Sequence, residues 1–153
     1  MVPVEYSDYA DKLVHQNSFN VVVTAKVIET DYTFVENKIF QLRLPDIKME
    51  IEGDVFTGRP FKTTAYFRNP LPVPLTSGAF YIEGAGLGRP LKIYLKRAVR
   101  PGDDALVSFM LTPRTAGEKM VTIKFTSRQL KDVTGFKMFR VSNFIPYFSN
   151  TLE

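Results

Sequence analysis

The chain has 153 residues, room for one ordinary domain or two small ones, and 44% of them are hydrophobic, enough to close a core. Cysteine is absent, which excludes disulfides, thiolate nucleophiles and thiolate metal ligands, and the single histidine, His15, lies in a polar segment with no apolar pocket signalled around it. Lys and Arg outnumber Asp and Glu by 20 to 16, a net charge of +4 without a long single-sign block, and no apolar run approaches the roughly 18 residues that span a bilayer.

The apolar residues are of a kind that suits pleated surfaces. Thirteen Phe and seven Tyr accompany many Val, Ile and Thr, and ten Pro and nine Gly are spread between them as turn formers. An all-β protein is expected. The first twelve residues carry acids and no apolar stretch of the signal-peptide type, so the expected location is cytoplasmic, or outside the cell by a route without a classical signal.

In chain order, residues 20–28 and 34–44 read as two strands and residues 2–6 as a third. Three strands cannot make two facing sheets. A hinge is expected at Leu44-Pro45-Asp46, because proline pushes the residue before it to an extended conformation. From there the period is two. Ile47, Met49 and Ile51 alternate with Lys48, Glu50 and Glu52, and Thr63, Ala65 and Phe67 alternate with Lys62, Tyr66 and Arg68. Pro70, Pro72 and Pro74 recur every second residue and each lacks the N–H a central strand needs, which predicts an edge. A short strand over 79–83 then runs into Gly84, Gly86 and Gly88, a tight corner. Leu91, Ile93 and Leu95 mark the next strand, Ala105 to Leu111 another, and Val121, Ile123 and Phe125 another; residues 136–141 form the last. Turns are expected at 58–60, 101–103, 113–117 and Thr134-Gly135. Seven strands at this spacing predict an immunoglobulin-like β-sandwich over 45–143, with 144–153 as a tail.

Few residues suggest chemistry. Gly84-x-Gly86-x-Gly88 is followed by Arg89 and Pro90, not by the third glycine and helix of a dinucleotide site, so it reads as a corner. The prolines are two apart, where a PxxP ligand needs three. Asp103-Asp104 and the acids Glu50, Glu52 and Asp54 lack calcium-loop spacing and read as surface acids. Arg89, Lys92, Lys96, Arg97 and Arg100 place five cations in twelve residues, with Lys92, Tyr94 and Lys96 expected on one outward face. Such a face is most often simply solvated; the ligands it would suit are a sulfated glycan, a phosphoinositide or nucleic acid, and of these the expected partner is an anionic glycan, with no nucleic acid.

Residues 69–88, NPLPVPLTSGAFYIEGAGLG, closely resemble the Asn-Pro-Leu-Pro-Val-x-Leu…Phe-x-x-Glu-Gly-Ala-Gly-Leu signature of the last β-barrel of animal transglutaminases. Residues 45–53, PDIKMEIEG, resemble the strand entering that barrel, and Lys131-x-Val133-x-Gly135-Phe136 resembles its closing strand. The resemblance spans about the whole chain. It implies that residues 1–44 are the closing strands of a preceding, incomplete barrel, a surface at which two copies of the chain could pair. It also implies a parent enzyme that forms γ-glutamyl-ε-lysine crosslinks through a Cys–His–Asp site and calcium, both in a core domain. No cofactor is expected in this chain. Its expected partners are its own catalytic core and, through the parent, protein substrates.

Two further sets of residues take their roles from the resemblance. Tyr6-x-x-Tyr9-x-Asp11-x-Leu13 matches a pattern whose first tyrosine hydrogen-bonds the catalytic cysteine in the closed enzyme, so Tyr6, with Tyr9 beside it, is the expected regulatory contact. Relatives that bind GTP carry an arginine and a tyrosine where this chain has Lys38 and Gln41, so nucleotide binding is not expected here. The reading from a different class is a free-standing immunoglobulin-like adhesion or glycan-binding module. Such a module should not need the strand pair before Pro45.

Overall fold

The computed structural model describes residues 3–10, 18–41 and 43–145, with Phe19 described in its backbone alone. Its contacts divide the chain into two units, Met1–Leu44 and Pro45–Glu153.

The first unit holds α1 (Tyr6–Tyr9), a single helical turn, and the strands β1 (Ser18–Val27) and β2 (Tyr32–Gln41). The strand expected over 2–6 is not formed among the described residues of that segment. Glu5 is extended, but Asp8 accepts a hydrogen bond from the Glu5 N–H at 2.9 Å and its own N–H reaches the Glu5 carbonyl at 3.0 Å. That reciprocal cap starts a helical turn where strand pairing was expected. β1 and β2 pair antiparallel from Ser18 opposite Gln41 to Val27 opposite Tyr32, around a turn in which Asp31 takes a φ of 56°. Directly paired residues share a face, so Val21, Val23, Ala25 and Val27 join Tyr32, Phe34 and Phe40 on one side. Every residue of β2 is exposed, Phe34 and Phe40 included.

The second unit is a sandwich of seven strands: β3 (Lys48–Ile51), β4 (Phe61–Arg68), β5 (Ala79–Glu83), β6 (Leu91–Tyr94), β7 (Asp104–Leu111), β8 (Gly117–Thr126) and β9 (Val133–Val141). One sheet has the order β3-β4-β7 and the other β6-β5-β8-β9, all antiparallel. The fourth strand thus pairs with the third rather than completing the first sheet. The period-two patterns are realised as burial: β7 alternates exposed and buried through all eight residues, and Phe61, Thr63, Ala65 and Phe67 of β4 point inward. Phe67 from the three-stranded sheet meets Phe125 and Phe80 from the other at centroid distances of 4.8 and 6.4 Å, and Phe80 meets Phe125 at 4.9 Å. These tilted and edge-on rings knit the two layers.

The strand ends differ from expectation in two places. Thr134 and Gly135 are not a turn but lie inside β9. The turn falls earlier, at 127–132, where the Ser127 hydroxyl donates to the Leu130 carbonyl and accepts from the Leu130 N–H, both at 3.0 Å. Gly135 serves close approach instead: a Cβ there would sit 2.5 Å from the Ile47 carbonyl oxygen.

The proline-rich segment is likewise not an edge strand. Residues 71–73 bend, and only Leu75 makes a bridge, to Val99. The bend is organised by Asn69, 2% exposed, whose amide donates to the carbonyls of Val73 at 2.9 Å and Val99 at 3.1 Å while its oxygen accepts from the Leu71 N–H at 3.0 Å. All three prolines are exposed, alternating with Leu71 and Val73, which are half-buried, and Leu75, which is buried. The glycine corner is as expected. Gly86 and Gly88 have φ of 74° and 107°, and at Gly84 a Cβ would meet the Met120 carbonyl oxygen at 2.8 Å.

Thr63 is fully buried and its hydroxyl has no hydrogen-bond partner. Thr63→Val keeps the shape and removes an unpaid polar group. Its expected effect is a gain of about 1 kcal/mol in unfolding free energy, measured by urea denaturation. An equal loss would mean that the hydroxyl is satisfied in solution.

Candidate functional site

α1 places Tyr6 and Tyr9 three residues apart on one helical face, and their rings meet edge to face at 5.6 Å with planes 78° apart. Both are half-buried. Burial pushes the Tyr6 phenol up, and Tyr9 adds to the rise, so the hydroxyl stays protonated and able to donate at neutral pH. Asp11, Leu13 and His15 lie outside the described residues.

Lys38 and Gln41 are both on β2, but three residues apart on a strand, so they face opposite sides of the hairpin. Lys38 is ion-paired to Glu36 at 3.1 Å. The pair does not converge on one ligand position.

The five cations of residues 89–100 are all exposed, but the structure separates them. β6 ends at Tyr94, so only Lys92 stands on a strand; Lys96 and Arg97 lie in a bend beyond it, and Arg100 follows the Val99 bridge. Lys96 therefore does not continue the strand face of Lys92 and Tyr94. The partner that Lys92 does have comes from β5. Its ammonium lies 5.0 Å from the Tyr81 ring centroid and 4.7 Å from that of Tyr94. These two tyrosines, Tyr94 first, raise the Lys92 pKa. On the far side of Tyr81 stands Lys124 of β8, ion-paired to Asp132 at 2.6 Å. A shallow trough of about 420 Å³ crosses β6, β5 and β8 here, lined by Tyr81, Pro90, Leu91, Lys92, Thr122 and Lys124 among others. Sequence reading found Lys92 but missed Tyr81 and Lys124. Their placement depends on the register that sets Tyr81 opposite both lysines.

Among the described residues no cluster of three or more Asp, Glu or His side chains could hold a metal, and no helix is long and apolar enough to cross a membrane.

These features define an immunoglobulin-like β-sandwich domain carrying an aromatic and basic outer face, with an exposed hairpin in a separate unit. The profile described as the transglutaminase family, C-terminal ig like domain, matches residues 45–143, and the chain belongs to that family. Annulin of Schistocerca americana is 39% identical over 140 residues, 92% of this chain and 18% of that protein. Human protein-glutamine gamma-glutamyltransferase K is 31% identical over 134 residues, 88% of this chain and 16% of that protein. The crystal structure of red sea bream transglutaminase superposes with a TM-score of 0.66 at 31% identity, covering 72% of this chain and 16% of that one. The chain thus spans less than a fifth of the length of these relatives.

Proposed function

We propose that the chain is the non-catalytic C-terminal region of a calcium-dependent transglutaminase, docking on the catalytic core and governing access to its active site. The parent forms γ-glutamyl-ε-lysine crosslinks between proteins. The acyl-enzyme step needs a thiolate, and this chain has no cysteine, so the nucleophile belongs to another domain. Calcium is assigned to that domain as well.

The observation that carries the reading is the hairpin β1–β2. Two strands alone are marginal in water, and this pair exposes Val23, Val27, Phe34 and Tyr32 on one face. A second layer supplied by the parent explains that face; a free-standing sandwich would not.

The regulatory contact is assigned to Tyr6, with Tyr9 bracing its ring. In the closed enzyme the Tyr6 hydroxyl donates to the catalytic cysteine, and activation moves the region away, a population shift between two arrangements. Tyr6→Phe in the parent removes that bond and little packing. At about 1 kcal/mol per hydrogen bond, the open fraction and the activity at limiting calcium rise roughly fivefold, while activity at saturating calcium barely moves. Amine incorporation into a glutamine substrate across a calcium series reads this directly. An unchanged calcium dependence in a folded variant would return Tyr6 to a purely structural role.

A further inference from the structure

Each sheet of the sandwich ends in two edge strands, β3 and β7 in one and β6 and β9 in the other. An open edge is a template for a further strand, and three of these four are blunted. β3 and β6 are only four residues long, and Lys48 and Lys92 stand on them. β9 carries Lys137 and Arg140, and its two ends are tied, the Ile47 N–H bonding the Thr134 carbonyl at 3.4 Å and the Ser142 N–H bonding the Val55 carbonyl at 2.9 Å. β7 has none of these devices. It runs for eight residues without Lys, Arg or Pro, and its register with β4 is unbroken from Leu111 opposite Phe61 to Asp104 opposite Arg68. The Glu52 N–H bonds the Lys62 carbonyl at 3.1 Å, so the even-numbered residues of β4 direct their backbone groups to β3 and the odd-numbered ones to β7. Their partners in β7 are Ala105, Val107, Phe109 and Leu111. The backbone N–H and C=O groups of Leu106, Ser108 and Met110 therefore point outward from the edge, and among the described residues none bonds them. The side chains of the same three residues lie on the outer face, Leu106 and Met110 each 53% exposed.

We propose that this edge pairs with β7 of a second copy of the chain, antiparallel about a twofold axis at Ser108, so that two three-stranded sheets become one. In that register Leu106 faces the partner's Met110, Met110 faces the partner's Leu106, and the two copies of Ser108 face each other. Each of these pairs exchanges two N–H···O bonds. Moving the axis to Val107 would set Asp104 against Met110 and Leu106 against Ser108, and moving it to Leu106 would leave Met110 opposite the turn at Gly102. The Ser108 axis alone matches both exposed apolar side chains to apolar side chains. The charges agree with it. β7 has one ionised side chain, Asp104, which is paired with Arg68 at 3.6 Å. The two copies of Asp104 stand eight positions apart along the seam, about 27 Å at 3.4 Å per residue, well outside a screening length of about 8 Å. On β4, Tyr66 stands beside Leu106, and Lys62, held by Glu52 at 2.8 Å, stands beside Met110, so no unpaired charge borders the apolar contacts. The seam is one strand wide, at the small end of specific interfaces, which makes the dimer a weak one with a dissociation constant on the order of 100 μM.

Sedimentation equilibrium of the full chain between about 10 μM and about 1 mM reads the association, and amide hydrogen exchange over the same range reads the site. The expected result is a monomer–dimer equilibrium in which protection rises with concentration at Leu106, Ser108 and Met110 and stays constant along β6 and β9. Ser108→Lys sets two ammonium groups against each other on the axis and should weaken association about tenfold, and Ser108→Asp should do the same with two carboxylates. Mixed in equal amounts, the two variants should recover at least the association of the unsubstituted chain, because opposite charges then face each other. Met138→Lys, on the outer face of β9, should change nothing. A chain that stays monomeric at about 1 mM overturns the proposal. So does a dimer that both Ser108 variants leave intact, which would place the contact elsewhere, on the exposed hairpin β1–β2 first. A mixture that fails to recover association overturns it as well, since the loss would then come from another register or from the fold rather than from like charges on the axis.

Discussion

Asn69→Asp is expected to cost the sandwich about 4 kcal/mol and to lower its melting temperature by about 20 °C. The amide of Asn69 donates to two carbonyls, those of Val73 and Val99, in a site 2% exposed. A carboxylate in that place sets a negative oxygen against both carbonyls, with no donor for it and no water to replace the amide. The Leu71 N–H, which now bonds the side-chain oxygen, cannot offset two lost donors and a buried charge. The ionised form is thereby disfavoured in the folded state, so the carboxyl pKa rises above its unfolded value of about 4. The deficit is largest at neutral pH and shrinks as pH falls through the raised pKa toward the unfolded one. Asn69→Ala, which orphans the same carbonyls without adding a charge, should cost about 2 kcal/mol with no such pH dependence. Thermal unfolding of both variants at pH 7 and pH 4, followed by near-UV circular dichroism, checks the pair. Parallel pH profiles would reject the buried-charge account.

Gly135→Ala is the second large effect. Its Cβ would lie 2.5 Å from the Ile47 carbonyl oxygen and 2.9 Å from the Ile47 Cβ, and neither can swing aside because the first is backbone and the second is bonded directly to the Ile47 Cα, just before β3. The start of β9 must therefore move away from β3, breaking the long 3.4 Å bond from the Ile47 N–H to the Thr134 carbonyl. Overpacking of this kind costs about 2 kcal/mol. Hydrogen exchange should speed up at Ile47 and across β3 while the Phe67–Phe80–Phe125 cluster keeps its protection relative to the new global stability. Gly58→Ala is a useful contrast, since at φ 74° it is strained but meets nothing within 4 Å. It should destabilise without the local signature at Ile47.

These two residues also show where sequence reading stops. Gly135 was legible as a glycine with a purpose, but a glycine that relieves backbone strain and one that admits a neighbouring backbone look identical in one dimension. The clash partner, Ile47, is nearly ninety positions away. The prolines at 70, 72 and 74 argued correctly against a central strand, yet whether the segment runs as an edge or bends is decided by the Asn69 hydrogen bonds to Val73 and Val99. At α1, a local cap between Glu5 and Asp8 prevails over the expected strand.

The candidate site divides in the same way. Lys92 stood out because cations crowd its stretch of sequence, and Tyr6 with Tyr9 because their spacing resembles a family pattern. That Lys92 shares a platform with Tyr81 and not with Lys96 follows from where β6 ends and from the register of β5 between β6 and β8.

What the sequence by itself determined is the class and the inside of the fold. A half-buried strand writes burial onto alternate residues, so β3, β4 and β7 are readable from their own side chains, and the absent cysteine rules out a thiolate nucleophile in any arrangement. What only the tertiary structure decided is which strands are neighbours: the fourth strand joining the third, β9 lying against β3, and Tyr81 of β5 set between Lys92 of β6 and Lys124 of β8. Those outcomes depend on pairs of residues far apart in the chain, brought together by backbone hydrogen bonds that are the same for every side chain, so composition and period carry no record of them.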